Sequence, residues 1–258
     1  MLSELSQKQS IINNLLINYY QAQNQNGWSL VFLHGWRADA TIWFPVIDLL
    51  KGNFSIYAPD LPGFGKSEIP KIDFTLQDYC NIVKKFIAGI SEPVCLIGHS
   101  FGGRIAIKLL ANDPNIAARL VLIDSAGVKT ENAYIEFKKT LFKIFKPLLS
   151  LPLIKILRQY LLQKISSEDY LARPELRGTF VKIISEDLKP FLRQVRVKTL
   201  ILWGENDKDT PLDHGRIMEK LIPNSRLVIL PKAGHFSFLD DQPEFIKLLN
   251  QFLKENTT

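Results

Sequence analysis

With 258 residues, 46% of them apolar and 22% charged, the chain is long enough for one α/β domain or a domain carrying an insertion, and too apolar for a disordered tail or a fibre. The net charge of +6 is concentrated in residues 128–190, where twelve Lys or Arg stand against seven Asp or Glu. These alternate with Leu, Ile and Phe as on amphipathic helices, a pattern that argues against a nucleic-acid surface. No apolar run approaches the roughly 20 residues that span a bilayer, and the opening MLSELSQKQSIINN lacks a basic-then-apolar leader profile. A cytoplasmic address without stable membrane insertion is the expectation.

In chain order, SIINNLLINYYQ has strand composition interrupted at Asn13-Asn14, a pair that tolerates the positive φ of a tight hairpin, and predicts antiparallel edge strands. Six further runs, LVFLHGW, SIYAPDL, VCLIGHS, LVLIDSAG, TLILWGEND and RLVILP, are short, rich in β-branched residues and bounded by turn residues. That is how parallel strands buried on both faces read. Helical spacing in LQDYCNIVKKFIAGI and FGGRIAIKLLAND completes the alternation of a doubly wound, mostly parallel α/β sheet. Cys80 and Cys95 sit inside these apolar segments and read as reduced core residues.

The alternation stops after Ala126 and resumes near Val197. In between, helical spacing is interrupted by Pro147 and Pro152, and a second helical set runs to Leu188. The expectation is a core of residues 1–127 and 191–258, with a helical cap, 128–190, inserted over the sheet. Leu141, Phe142, Phe145, Leu148 and Leu149 give that cap an apolar face turned to the sheet or to a pocket.

Gly98-His99-Ser100-Phe101-Gly102 follows a strand directly and opens a helix. A serine on so sharp a turn needs small flanking residues, because the backbone is strained and closely packed. The turn lifts the hydroxyl clear of the sheet and places it at a helix N-terminus, where developing negative charge is favoured. Ser100 is the candidate nucleophile. A serine needs a base, and of His34, His99, His214 and His235 the last is preferred: it lies in PKAGHFSF, just past the final strand, at the sheet edge where open α/β sheets bind ligands.

The base needs a carboxylate to fix its tautomer. Asp124 and Asp207 both end strands at the correct edge, and both satisfy the order serine, acid, histidine. Asp207 is preferred because its loop is beside that of His235, with Asp124 the alternative and Asp209 a near neighbour. The N–H groups of Phe101 and Trp36 are the candidate oxyanion donors, Gly35 permitting the tight turn in His34-Gly35-Trp36. Asp60-Leu61-Pro62-Gly63-Phe64-Gly65-Lys66-Ser67 fails the phosphate-loop spacing and reads as a structural turn beside the site. Neither metal-ligand spacing nor a dinucleotide fingerprint is present, so no cofactor is expected.

Together HGW, DLPGFGKS, GHSFGG, the acid in GENDKDTP and the histidine in AGHF resemble the α/β-hydrolase superfamily, in its small branch with a helical cap. The resemblance runs from about Ile11 to Leu253. It implies a Ser100, Asp207 and His235 triad, an oxyanion hole at Trp36 and Phe101, and a small-molecule ester as partner. Serine at the elbow departs from the dehalogenases and epoxide hydrolases of that superfamily, which carry aspartate there. Carboxylic-ester hydrolysis through an acyl-enzyme is therefore expected, for small to medium apolar substrates. The alternatives are a carbon–carbon bond hydrolase of the meta-cleavage type and a triad-retaining, ligand-binding signalling protein.

Overall fold

A computed structural model describes residues 4–24, 27–90, 93–129 and 173–255. The chain enters through a hairpin, β1 (Ser6–Ile12) and β2 (Leu15–Ala22), paired antiparallel. Asn13 and Asn14 turn it at φ 51° and 61°, the two successive positive angles that suit the right-handed twist of the flanking strands. The six other expected strands follow as β3 (Ser29–Leu33), β4 (Ser55–Pro59), β5 (Val94–His99), β6 (Arg119–Ile123), β7 (Lys198–Gly204) and β8 (Ser225–Leu230). Among the described residues they form one eight-stranded sheet in the order β1-β2-β4-β3-β5-β6-β7-β8. Pairing from β4 through β8 is parallel, and β2 joins β4 antiparallel.

Alternation along the strands divides the core in two. Leu30, Phe32, Cys95, Ile97, Val121, Ile123, Leu200 and Leu202 face one side, and Val31, Leu33, Leu96, Leu120, Leu122, Ile201 and Trp203 the other. Both sets are buried, which is why these strands read as continuous apolar runs. The first face is covered by α1 (Phe44–Leu50), α7 (Ser237–Asp240) and α8 (Gln242–Lys254). The second is covered by α2 (Leu76–Ile87), α3 (Phe101–Asn112) and α6 (Leu212–Leu221). Cys80 and Cys95 are free thiols in these layers, and burial pushes both above their ordinary pKa, Cys80 to about 12.

Helix α2 starts at a capping box. Thr75 Oγ1 accepts from the Asp78 N–H at 3.3 Å, and Asp78 Oδ2 accepts from the Thr75 N–H at 2.7 Å.

Most of the expected cap, including Leu141, Phe142, Phe145, Pro147, Leu148, Leu149 and Pro152, lies outside the described residues. Its return leg is described as α4 (Arg177–Ser185) and α5 (Lys189–Leu192). Arg104 on α3 donates through Nη2 to the carbonyls of Ile183 and Glu186, and Lys108 pairs with Glu186 at 2.6 Å. The Leu188 N–H donates to Gly127 O at 2.9 Å, Lys189 Nζ to Lys129 O at 2.9 Å, and Lys129 Nζ to Ser185 O. The points where the chain leaves and re-enters the sheet layer are thereby joined. Among the described residues no helix is long and apolar enough to cross a membrane.

Candidate active site

Strand order reverses at the centre of the sheet: from β3 the chain moves outward to β4, whereas from β5 it proceeds the other way to β6. Loops leaving adjacent strands at such a point diverge and open a crevice at their carboxyl ends. The turns after β3 and β5 are His34-Gly35-Trp36 and the Ser100 elbow.

Ser100 sits between β5 and α3 at φ 50°, ψ −108°, a conformation that residues with a Cβ seldom adopt. Main-chain bonds over-determine it. Its N–H donates to Ile123 O at 3.1 Å, and its carbonyl accepts from Arg104 and Ala126 at 3.3 and 3.2 Å. The glycine flanks are required, since a Cβ at Gly98 would lie 2.7 Å from Gly102 and Gly103 main-chain atoms, and one at Gly102 would lie 2.2 Å from Leu33 O. Phe101 opens α3, so its N–H belongs to the first turn, which has no intrahelical acceptor.

The loop bearing Trp36 is pressed against this elbow: a Cβ at Gly35 would meet His99 Nδ1 at 2.8 Å and Ser100 Cβ at 3.3 Å. The Trp36 ring is packed among Phe64, Phe101 and Phe180, with centroids 4.9, 5.3 and 5.1 Å away. His34 fixes the loop from beneath. Its Nδ1 lies 2.8 Å from Gly35 O, and its Nε2 lies 2.9 Å from the Leu61 nitrogen. Because Leu61 can only donate, Nε2 must accept and Nδ1 carries the proton. Burial keeps the ring neutral by lowering its pKa, against the Gly35 carbonyl and the charges of Asp60 and Asp39. Asp60 in turn accepts from Ala40 N, Lys66 N and Asn18 Nδ2, each at 2.8 Å. The 60–67 segment is thus a structural turn beside the crevice.

His235, in the loop after β8, places Nδ1 2.9 Å from Asp207 Oδ2. Asp207 also accepts from Thr210 Oγ1 at 2.6 Å and from the main-chain N–H groups of Thr210 and Asp209 at 3.0 and 2.8 Å. Burial alone would raise its pKa. The bonds from His235 and Thr210 outweigh burial and hold it below the ordinary carboxylate value. For His235, burial opposes the charged form, but the bond and charge of Asp207, helped by Asp124 and Asp209, raise its pKa above 6.5. The carboxylate fixes Nδ1–H as donor and leaves Nε2 as the basic nitrogen.

The other histidines are placed elsewhere. His99 is buried behind the elbow, with Nε2 2.7 Å from His235 O and its ring 4.8 Å from the His235 ring. Burial pushes its pKa down to about 3. His214 lies on α6. The alternative acid, Asp124, makes no bond to a histidine. Its carboxylate accepts from Gly204 N, Ser237 N and Ser237 Oγ. Sequence reasoning did not single out Thr210, Ser237 or the bond from His99; only Thr210 carried a local signal, three residues after an aspartate as in a side-chain-capped turn.

Residues 30–247 match the sequence pattern of the alpha/beta hydrolase family. Across 252 residues the chain is 30% identical to a pimeloyl-[acyl-carrier protein] methyl ester esterase of Legionella pneumophila (strain Paris), covering 92% of this chain and all of that one. It is likewise 30% identical over 240 residues to an esterase of the same name from Nitrosomonas europaea, covering 86% and 94%. Among solved structures, a bacterial membrane phospholipase A superposes with a TM-score of 0.78 at 26% identity, covering 96% of this chain and 86% of that one. In sequence pattern, full-length relatedness and sheet topology alike, the chain belongs to the alpha/beta hydrolase family.

Proposed function

We propose that the protein hydrolyses carboxylic esters through an acyl-enzyme on Ser100, with His235 as general base and Asp207 as its orienting carboxylate. The observation that carries this reading is the 2.9 Å bond between His235 Nδ1 and Asp207 Oδ2 at the sheet edge where the strained Ser100 elbow stands. With Nδ1 held as donor, His235 Nε2 takes the proton from Ser100 Oγ as the hydroxyl attacks the ester carbonyl. The N–H groups of Phe101 and Trp36 receive the oxyanion. Collapse expels the alcohol, protonated by His235. Water, deprotonated by the same imidazole, then releases the acid and frees Ser100.

Small to medium apolar esters are the substrate class. The methyl ester of a carrier-bound acid, named for the relatives in Legionella and Nitrosomonas, supplies the first specific candidate, because those relatives align over nearly the whole chain. The experiment combines a fluorophosphonate probe with p-nitrophenyl esters of graded acyl length and a dicarboxylic acid methyl ester. One equivalent of label, lost in Ser100→Ala together with turnover of the esters, is the expected result. Labelling of Ser100→Ala at the wild-type rate would place the nucleophile elsewhere. Labelling without turnover of any ester would favour a ligand-binding role.

A further inference from the structure

We infer that Asp124 is a positioning residue for this site: a buried carboxylate at the end of β6 that holds the loops of Asp207 and His235 in register with each other. The inference rests on the reading of Ser100, Asp207 and His235 given above.

Asp124 is fully buried and has φ 43°, an angle uncommon for a residue with a Cβ. Its Oδ1 accepts from the Gly204 N–H at 2.7 Å, three residues before Asp207. Its Oδ2 accepts from the Ser237 N–H at 3.1 Å and the Ser237 hydroxyl at 2.6 Å, two residues after His235. The two oxygens of one carboxylate therefore hold the segments that present the acid and the base. Thr210 adds a third tie, its hydroxyl 2.6 Å from Asp207 Oδ2 and 3.0 Å from the Asp124 carbonyl.

The same two loops touch directly where neither can give way: a Cβ at Gly204 would lie 2.1 Å from Gly234 O. Loop contact fixes how closely they approach, and Asp124 fixes their alignment. Without it, Gly204 and Ser237 would each lose a buried acceptor, and the geometry of the 2.9 Å bond between Asp207 and His235 would depend on the loops alone.

The charged groups facing Asp124 are Asp207, from the loop after β7, and His235, from the loop after β8. Burial, aided by the Asp207 charge, pushes the Asp124 pKa up to about 7, against the bonds from Ser237 and Gly204. Its charge in turn favours the His235 imidazolium. The clamp thus has an electrostatic signature that simple support of the fold would lack.

The test compares Asp124→Asn and Ser237→Ala with wild type on a p-nitrophenyl ester, with rates normalised to sites titrated by fluorophosphonate. For Asp124→Asn we expect kcat per titrated site to fall by about 10- to 100-fold while KM stays within about twofold, as misalignment without lost substrate binding requires. The midpoint of its pH profile should move to lower pH, because a negative charge near the imidazolium has gone. Ser237→Ala leaves the carboxylate in place but removes a bond that favours its charged form, so its midpoint should move in the same direction by less than in Asp124→Asn, while kcat falls by about three- to tenfold, the worth of one hydrogen bond. An Asp124→Asn enzyme with fewer titrated sites and a lower Tm, but wild-type kcat per site, KM and pH midpoint, would reduce Asp124 to a structural residue and overturn the inference. If that variant fails to fold, an unchanged kcat per site in Ser237→Ala would overturn it equally. Failure of the triad reading looks different, since Ser100→Ala or Asp207→Asn would then retain turnover whatever Asp124 does.

Discussion

Ser100 is held at φ 50°, ψ −108°, which for a residue with a Cβ costs about 1–3 kcal/mol. Glycine tolerates that conformation but gives the unfolded chain more freedom, a loss of about 0.4–1 kcal/mol. Ser100→Gly should therefore be more stable than wild type by about 1 kcal/mol, a rise in Tm of about 2–4 °C, while losing all labelling. A lower Tm on thermal unfolding would show that the elbow is not strained. His235 yields a second expectation at this scale. Its pKa is raised above 6.5 in the folded protein, and the proposed mechanism needs the neutral ring, so kcat/KM should rise with pH through a midpoint above 6.5. A pH–rate profile with its midpoint below 6.5 would contradict the bond to Asp207. Ser100 and His235 could be picked out as candidates because a local motif and a position after the last strand mark them. The Asp124 contacts were not, since they join residues 80 and 113 positions apart, and neither Gly204 nor Ser237 belongs to a motif.

Among the elements, α2 shows how local rules and tertiary packing share the work. Tyr79, Cys80, Val83 and Ile87 bury one face of the helix, and the box of Thr75 and Asp78 satisfies the N–H groups of those two residues. Thr75→Ala removes the exposed half of that box without touching the packed face, so it should lower stability by about 1 kcal/mol. Ester turnover at 25 °C should remain unchanged, as denaturant unfolding beside an activity assay would show. The hairpin was equally legible, because Asn13-Asn14 declares its own turn chemistry. Helix α3 was legible over its whole length from the spacing in FGGRIAIKLLAND, but Arg104 and Lys108 look like ordinary surface cations in sequence and are instead buried beneath the return leg. Burial lowers the Arg104 pKa to about 10. Their partners, Ile183 and Glu186, lie 78 to 82 residues away, beyond the reach of any periodicity argument.

For the whole molecule, the doubly wound sheet was visible in advance because β3 to β7 are buried on both sides and so announce themselves as unbroken apolar runs, whereas the edge strand β8, expected to be buried likewise, is only partly so. Strand order was not visible, since periodicity carries no information about neighbours. The order comes from the observed pairing alone. The joined ends of the segment between Lys129 and Arg173 have a consequence at this scale. Gly127 and Lys129 are bonded to Ser185, Leu188 and Lys189, and α3 grips the returning chain from below. These bonds close the ends of that segment at a collar, and lengthening a closed loop adds only about 0.6 kcal/mol of entropy per doubling. The collar thus works as a graft junction. Descendants of this sequence can exchange or resize the stretch that begins after Lys129 while inheriting the sheet, the elbow and the Asp124 clamp unaltered, so the length of that stretch can evolve independently of the frame beneath the collar.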